Sequence, residues 1–454
     1  MTFSKYALAL LVLLVCPSLV CAADPIPANA PPRWWKGNLH THTLWSDGND
    51  FPEMVVEWYR DQGYNFLALS EHNIFAQGEK WVPVVGSKRP EMKGHFEKYV
   101  NRFGPNWVET RGKGDSGLPL EVRLKPLSEF RTLFEERGVF LMIPGEEITN
   151  RFPYTGDDGK ERNRPIHMNA SNIVELIQPQ PGRTISEMID NTFKAVHEQQ
   201  ARTGQPILPH LNHPNFQYGV TAEDIAAAVS DHFFEIWNGH PGINYLGDEQ
   251  HASMEKVWDI ASTIRLAKLN APPLYGLGTD DSHHYNTDGK SRSIPGRGWI
   301  MVRAAHLTPE SLIRAIKAGD FYASSGVTLS DVKFDAATKT IQIDVKAEEG
   351  VTYKTAFIGT PIKHDLSSTP VTGKDGKPIY ATGRYKDEIG KTFKTVEGTK
   401  PRYTLSGEEL YVRAVVTSSK PPARPVFDGQ TEQAWTQPVG WSQRPAPTTA
   451  ASSR

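Results

Sequence analysis

The mature form of this 454-residue chain is expected to contain no cysteine. The sequence has two cysteines, Cys16 and Cys21, and both lie in an amino-terminal segment that we expect to be removed. A chain without cysteine can form no disulfide, offers no thiolate ligand to a metal and has no cysteine nucleophile. Any metal that it binds must therefore be held mainly by nitrogen and oxygen ligands.

The apolar run near the start of the chain is too short to span a membrane. It covers residues 6–15, follows Lys5 and is followed by small residues that end at Ala22 and Ala23. These are the three parts of a secretory signal peptide, so we predict that residues 1–23 are removed. The mature chain would have no membrane span and would be exported to the periplasm or the extracellular space. A lipoprotein anchor on Cys21 is the alternative, which the bulky residue before it disfavours.

The chain also lacks an excess of charge of either sign. Its formal net charge is −2, with 22% charged and 38% hydrophobic residues. This composition is that of an ordinary globular protein and gives no reason to expect nucleic acid as a partner. The sequence contains no His-Glu-x-x-His, no Gly-x-Ser-x-Gly and no glycine-rich phosphate loop, which excludes the enzyme classes that those motifs mark.

Two hydrophobic patterns divide the chain near Gly326, as the length of the chain also favours two domains. From 34 to 325, short apolar runs alternate with amphipathic segments, which predicts a repeated strand-then-helix fold. The candidate strands are 37–42, 66–70, 139–144, 166–170, 207–211, 233–237 and 274–278. Strict alternation after Gly326 predicts a small all-β domain over 327–440, followed by a mobile tail at 444–454.

Helix-start signals support this division. Thr184 and Glu187 have the spacing of a capping box, and Thr308 followed by Pro309 predicts another helix start, with Gly319 as its end. The segment 79–125 breaks the rhythm, because it is long and rich in glycine and proline. Long segments of this kind are often functional, so we expect a lid that borders the site.

Histidines and carboxylates occur at the ends of the predicted strands. His40 and His42 are two residues apart, so on a strand both imidazoles would project from the same face toward one ion. Asp281 and His283 repeat this spacing after the seventh predicted strand. Taken singly, each histidine is better explained as a hydrogen-bonded core or surface residue, but the succession indicates a shared site.

Further candidate ligands follow the other strands. Glu146 and Glu147 end the third strand, and only one of them can face the metals if the backbone stays extended. The remaining candidates are Asp47, His72, His167 and, at the end of the fifth strand, the two histidines His210 and His213. In a parallel barrel the strand ends converge on one rim, where such residues could hold several ions. Imidazole and carboxylate ligands suit Zn, Mn or Fe, and a carboxylate can bridge two ions, so we expect two or three divalent metal ions.

The ordered set of motifs resembles the polymerase and histidinol phosphatase (PHP) superfamily over residues 34–322. The motifs are His40-x-His42, Ser-Asp47-Gly, Glu71-His72-Asn, Gly145-x-Glu147, His167, His213-Pro and Asp281-x-His283. The resemblance implies an α/β fold, a distorted (β/α)7 barrel, with a trinuclear centre that hydrolyses phosphate esters. The motifs at 298–302 and 321–326, followed by a β domain, are similar to the exported, longer branch of the superfamily.

The resemblance also implies a division of the ligands among three ions. The first ion would be held by His40, His42, Glu147 and Asp281; Glu147 would bridge to a second held by His167 and His213; and a third would be held by Asp47, His72 and His283. Asp47 stands where many members have histidine, and Glu71 stands where aspartate is usual.

The implied reaction is hydrolysis of a small phosphorylated ester by a metal-bridging hydroxide, with Glu147 and Asp281 at the catalytic centre. Arg297, with Arg164 and Arg292, is a candidate to bind a phosphate bidentately. Some members of the exported branch are similar to esterases or carbamate hydrolases, so hydrolysis of a carboxylic ester or carbamate on the same site is the alternative. A non-catalytic binding protein with structural metals is disfavoured, because a structural ion needs about four ligands and this set offers about nine.

Overall fold

The computed structural model describes residues 30–86, 88–114, 118–156 and 158–441. The predicted signal peptide at 1–23 and the predicted tail at 444–454 lie outside these residues. The described chain from Pro32 onward forms one compact unit. Within the described ranges, every helix is too short or too polar to cross a bilayer.

Strands and helices alternate through most of the first two thirds of the chain. The strands there are β1 (Arg33–Asn38), β2 (Phe66–His72), β3 (Lys80–Val85), β4 (Thr110–Arg111), β5 (Leu120–Leu124), β6 (Leu141–Thr155), β7 (Glu161–Ser171), β8 (Leu208–Leu211), β9 (Phe233–Asn238) and β10 (Tyr275–Thr279). The helices are α1 (Pro52–Asp61), α2 (Met92–Phe103), α3 (Leu127–Phe130), α4 (Ile185–Thr203), α5 (Ala222–Ala227) and α6 (Met254–Lys268), with a 3-10 turn at Arg131–Leu133.

The rest of the described chain, up to residue 441, is mostly strand. After β11 (Trp299–Ala304), α7 (Pro309–Lys317) and β12 (Phe321–Ser324) come nine further strands. They are β13 (Leu329–Asp335), β14 (Thr340–Val345), β15 (Tyr353–Pro361), β16 (Ser368–Thr369), β17 (Arg384–Tyr385), β18 (Lys391–Glu397), β19 (Arg402–Thr404), β20 (Glu409–Ser418) and β21 (Gln433–Thr436). The predicted change from mixed to all-β texture near Gly326 is therefore present.

Two helices begin where the sequence predicts. The Thr184 hydroxyl accepts a hydrogen bond from the backbone N of Glu187 at the start of α4, and Thr308 caps α7 in the same way. The carboxylate of Glu187 binds Arg183, so the reciprocal half of the predicted capping box is missing. Gly319 lies just beyond the end of α7 with φ of 76°, a conformation that favours glycine.

Thirteen strands form one mixed sheet in the order β10-β9-β8-β7-β6-β2-β1-β11-β12-β21-β20-β15-β18. Parallel pairs join β1 to β2, β2 to β6, β8 to β9, and β9 to β10. However, β7 runs antiparallel to both β6 and β8, so the expected all-parallel arrangement is wrong at this strand. The reason is the short link at 156–160, because a parallel crossover needs a dozen or more residues.

Backbone hydrogen bonds also join the segments that follow β1 and β10. The N–H of His42 donates to Ser282 O at 3.1 Å, and the N–H of Asp281 donates to His40 O at 3.0 Å. A parallel bridge pairs Thr41 with Ser282 between them. The segment that follows β10, which lies at one end of the sheet order, is thus hydrogen-bonded to the segment that follows β1.

β1 ends earlier than the sequence predicts. The predicted strand reaches residue 42, whereas β1 ends at Asn38, so His40 and His42 lie in the segment after it. The Asn38 side chain explains the difference, because its Nδ2 donates to His40 O and its Oδ1 accepts from the His40 N–H. These local bonds compete with continued strand pairing.

The insertion at 79–125 is a folded unit rather than an open loop. Strands β3, β5 and β4 form a small antiparallel sheet beside α2. His95 Nδ1 lies 2.5 Å from Asn49 O, and the Lys80 ammonium donates to Trp45 O. The insertion therefore contacts the segment 45–49 that carries Asp47, and its role as a lid stays a prediction.

The strands after Gly326 share a core with the earlier part of the chain. β21 pairs with β12, and the rings of Trp435 and Trp237 stack with centroids 5.6 Å apart. The buried guanidinium of Arg413 on β20 binds the carboxylate of Asp259 on α6, with Nη2 and Oδ2 2.7 Å apart. A separate β domain at 327–440 stays a prediction. If the domain boundary lay at Gly326, these contacts would be contacts between two domains.

Candidate metal centre

Each of the nine predicted metal ligands takes part in at least one cluster of ligand atoms. Four such clusters occur among the described residues, each with its nitrogen and oxygen atoms within 4.8 Å of one another. They are His42, Asp47, His72 and His283; His40, His213 and Asp281; His40, His42 and Glu147; and His72, Glu147 and His167. Because the clusters share members, they form one continuous centre.

Glu147 lies at the middle of this centre. Its carboxylate oxygens lie near the ring nitrogens of five histidines, namely His40 at 3.4 Å, His42 at 3.3 Å, His72 at 2.8 Å, His167 at 3.1 Å and His213 at 3.5 Å. Its neighbour Glu146 points away, and its Oε1 accepts a hydrogen bond from the Ile177 N–H at 2.6 Å. Only one carboxylate of this pair faces the histidines, and the position of Glu147 is suited to a bridging ligand.

Asp281 faces Glu147 across the histidines. Its Oδ1 lies 3.3 Å from His40 Nε2 and 3.2 Å from His42 Nε2, and its Oδ2 lies 3.8 Å from His213 Nε2. Its φ of 48° is uncommon for a residue other than glycine. The two backbone bonds to the segment after β1 hold Asp281 in this conformation.

Asp47 lies on the outer side of the centre, where its side chain is 50% exposed. Its oxygens lie 3.3 Å from His283 Nε2 and 3.5 Å from His72 Nε2. Although partial burial favours the neutral acid, His283 and His72 hold its pKa well below the usual range. The loop is anchored by the buried Glu71, which accepts hydrogen bonds from the Thr43 N–H and hydroxyl.

The clusters differ in part from the three ligand sets that the resemblance implies. His213 groups with His40 and Asp281, whereas His167 groups with His72 and Glu147. The outer cluster contains His42 in addition to the three residues implied for the third ion. The nine predicted side chains are thus brought together, but they group into clusters that differ from the implied ligand sets of the three ions.

The donor atoms of this centre fit divalent metal ions. His40 Nε2, His42 Nε2, His167 Nδ1 and Glu147 Oε2 are buried and make no hydrogen bond to any of the described residues. A buried polar atom without a partner is costly, so such atoms are rare unless a ligand satisfies them. Imidazole nitrogens that converge on carboxylate oxygens without hydrogen-bonding geometry are what metal coordination requires.

Hydrogen bonds on the far side of two rings fix which nitrogen faces the centre. His40 Nδ1 lies 2.7 Å from the carboxylate of Glu235, and His283 Nδ1 lies 2.9 Å from the carbonyl oxygen of Asp281. Both partners can only accept, so each Nδ1 carries a hydrogen and each Nε2 is the nitrogen that faces the centre. Such outer contacts orient metal-binding histidines in many proteins.

The pKa values of two neighbouring histidines, His42 and His72, are shifted in opposite directions. Burial, reinforced by the nearby His283, lowers the pKa of His42 to about 3, so this ring is neutral as a ligand must be. Burial also disfavours the charged form of His72, but the carboxylates of Glu147 and Asp47 raise its pKa to about 11. A divalent ion in the outer cluster would take the place of the His72 proton.

The polar residues that support the ligands could not be identified from the ligand motifs. Glu235 is fully buried and accepts hydrogen bonds from the His213 N–H, the Thr279 hydroxyl and the Asn238 amide, in addition to its contact with His40. The Asn212 amide donates to Glu147 Oε1 at 2.8 Å. A signal was present, because Glu235 is the one charged residue in the otherwise apolar predicted strand 233–237.

The structure gives no support to a substrate-binding role for Arg297. Its side chain is buried, with the residue 2% exposed, and its guanidinium donates to backbone carbonyls that include those of Gly239, Gly289 and Arg292. Its donors are thus used to tie loops together, and the expectation of a phosphate contact is corrected. Arg164 lies between the rings of Tyr154 and Tyr380.

No protein-family model matches this sequence, and no curated protein does. Solved structures similar to the chain include a two-domain protein from Bacteroides vulgatus that contains a predicted PHP-like metal-dependent phosphoesterase. It is 15% identical, with a TM-score of 0.36 and coverage of 89% of this chain and 95% of the other. Another is a candidate metal-dependent phosphoesterase from Bifidobacterium adolescentis, 13% identical, with a TM-score of 0.25 and coverage of 57% and 90%.

Proposed function

We propose that this protein is an exported metal-dependent hydrolase of the PHP type that cleaves phosphate esters. The observation that carries the proposal is the position of Glu147, whose carboxylate is in reach of five histidines while its buried Oε2 has no hydrogen-bond partner among the described residues. One carboxylate surrounded by that many imidazoles is suited to bridging metal ions. The centre offers far more ligands than a single structural ion needs.

The nine clustered side chains would hold two or three divalent ions, and Zn, Mn or Fe suits their nitrogen and oxygen donors. When bound, such ions lower the pKa of a coordinated water and neutralise negative charge that develops in the reaction. The protein supplies the fixed ligand positions. Asn212 and Glu235 hold ligands from behind, so the side chains need little rearrangement to bind metal.

The charge of the centre favours an anionic substrate. Three divalent cations would outweigh its carboxylates Asp47, Glu147 and Asp281 together with the charged Glu235 behind His40, which leaves a net positive site. A small phosphorylated ester matches this charge. A neutral carboxylic ester or carbamate could use the same ions but would gain less from the excess positive charge.

The fold proposed for the site is a distorted barrel of seven strands. The support is the sheet order, in which β1, β2, β6, β7, β8, β9 and β10 are neighbours in sequence order. The backbone bonds of His42 and Asp281 to the opposite segment would close this run of strands into a ring. The antiparallel β7 is the distortion. Export rests on the amino-terminal sequence alone.

The experiment is a substrate panel with paired metal analysis. Zinc- and manganese-loaded protein is assayed on phosphomonoesters, phosphodiesters and carboxylic esters, together with the variants His42→Ala and His364→Ala. His364 takes part in none of the clusters, so it controls for the loss of any histidine. His42→Ala should lower bound metal and reduce turnover by orders of magnitude. Unchanged metal content in that variant, or no phosphate ester hydrolysis by the wild type, would contradict the proposal.

A further inference from the structure

His240 lies beside the metal centre without belonging to it. It follows β9 by two residues, and its ring stands edge-on to two others, with centroid distances of 5.6 Å to His283 and 6.0 Å to Phe216. Phe216 in turn stands edge-on to the ring of His213 at 5.2 Å. His240 is half-buried and lies between an outer ligand and an aromatic side chain.

Two backbone contacts fix the orientation of the His240 ring. The N–H of Gly242 donates to His240 Nδ1 at 3.0 Å, so Nδ1 must carry a lone pair and Nε2 must carry the hydrogen. The N–H of His240 donates to the Asn238 side chain at 2.8 Å, and the amide of Asn238 donates to Asp281 at 3.2 Å. The backbone of His240 is thus connected to the predicted ligand Asp281 through the side chain of Asn238.

The Nε2–H group of His240 is not used by the protein itself. Among the described residues it has no hydrogen-bond partner, and no carboxylate oxygen lies within 4.0 Å of either ring nitrogen. His240 is also absent from all four ligand clusters, although its ring centroid lies 5.6 Å from that of His283, closer than the 6.3 Å between the centroids of the clustered His72 and His283. Its tautomer makes Nε2 a donor rather than a metal ligand, which distinguishes it from His40 and His283.

We propose that His240 is a further catalytic residue of this site, whose Nε2–H donates a hydrogen bond to the phosphate group of the substrate. The inference rests on the proposed function. A donor that is held in place before the substrate arrives stabilises the charge that develops on phosphoryl oxygens without reorganisation. His240 would thus provide the contact to the phosphate group that the buried Arg297 cannot make.

The two variants His240→Asn and His240→Gln separate the donor from the ring's structural contact. Asparagine places an acceptor near the former Nδ1, so the bond from Gly242 can persist, but it has no group at the position of Nε2. Glutamine reaches the position of Nε2 with an N–H donor. Binding of inorganic phosphate to the zinc-loaded proteins is measured by calorimetry, and zinc content is measured on the same samples.

We expect equal zinc content in all three proteins. His240→Asn should bind phosphate more weakly by about tenfold or more, the loss typical of a hydrogen bond to a charged group, while His240→Gln should stay within about threefold of the wild type. The inference is overturned if His240→Asn binds phosphate as the wild type does, if both variants lose affinity equally, if zinc is lost, or if the zinc-loaded wild type binds no phosphate.

The same samples separate this inference from the proposed function. A wild type that binds phosphate but hydrolyses no phosphate ester would contradict the function and leave the His240 contact standing. Hydrolysis by the wild type together with unchanged phosphate affinity in His240→Asn would contradict the contact and leave the function standing.

Discussion

The Oε1 atom of Glu235 lies 2.7 Å from Nδ1 of His40, and both side chains are fully buried. The carboxylate is charged in this setting, because His40 and His210 lower its pKa against the effect of burial. A buried charge of this kind is stable only when it is paired and hydrogen-bonded. The pair therefore connects the stability of β9 to the orientation of a predicted metal ligand.

Replacing Glu235 should weaken metal binding without removing a ligand. In Glu235→Gln the amide cannot accept as strongly from His40 Nδ1, so the ring loses its fixed tautomer. We expect the zinc dissociation constant to rise by about tenfold to a hundredfold. Competition with a chromogenic chelator measures it, with the exposed Glu348→Gln as the matched control. An unchanged constant would show that Glu235 has no part in orienting the ligand.

The outer carboxylate should affect phosphate esters more than neutral esters. In Asp47→Ala the protein should lose about one metal ion and keep the inner ones, because His40, Glu147 and Asp281 do not depend on Asp47. Hydrolysis of a phosphate ester should fall steeply, whereas that of a neutral carboxylic ester should fall less. Metal stoichiometry and both activities are measured on the same protein. Full metal content with both activities intact would make Asp47 a turn residue only.

The buried carboxyl group of Glu146 should make the free energy of unfolding depend on pH. Burial raises the pKa of its carboxyl to about 8, so the folded state holds a proton that the unfolded state releases near pH 4.5. The resulting stabilisation is complete below pH 4.5 and is lost as the pH rises toward and through 8, with about 1.4 kcal/mol at stake per unit of pKa.

The variant Glu146→Gln tests this dependence, because it keeps an acceptor for the Ile177 N–H and cannot ionise. Its free energy of unfolding should fall less between pH 5 and pH 9 than that of the wild type. Urea unfolding at several pH values, on metal-free protein, makes the comparison. Parallel pH profiles for the two proteins would rule out a neutral Glu146 in the folded state.

The Arg413–Asp259 pair tests whether the carboxy-terminal strands are an independent domain. In Arg413→Met the Asp259 carboxylate stays buried without its cation, which should cost about 3 to 5 kcal/mol of the free energy of unfolding. If the chain from Pro32 onward unfolds as a unit, a single transition shifts. Two transitions, of which one is unaffected by the substitution, would support a boundary near Gly326. Lys333→Met, at an exposed position, is the control.

The ligand residues could be predicted from sequence because their pattern is local. His40 and His42, or Asp281 and His283, are close enough in the chain to reach one centre, although each pair lies just after its strand and not on it. The same holds for the cap at Thr308, which depends on its next few neighbours. The structure brings all nine predicted ligands together, although in clusters that only partly match the implied sets.

Features that depend on distant residues could not be predicted in this way. The direction of β7 is set by the shortness of the link after β6, which the strand pattern itself does not reveal. The sequence suggests that Arg297 could bind substrate. In the structure its guanidinium donates instead to backbone carbonyl groups of loops near 239, 289 and 424. Glu235 gains its role only through contact with residues on other strands.

The backbone bonds between the segments after β1 and β10 have a consequence for biosynthesis. Segments from opposite ends of the strand run must meet before His40, His42 and Asp281 can share an ion, and such distant contacts form slowly. A nascent chain that has not yet reached Asp281 cannot assemble the inner cluster. An ion held by His40, His213 and Asp281 could thus be acquired only after about three fifths of the chain has been synthesised, in whichever compartment its folding ends.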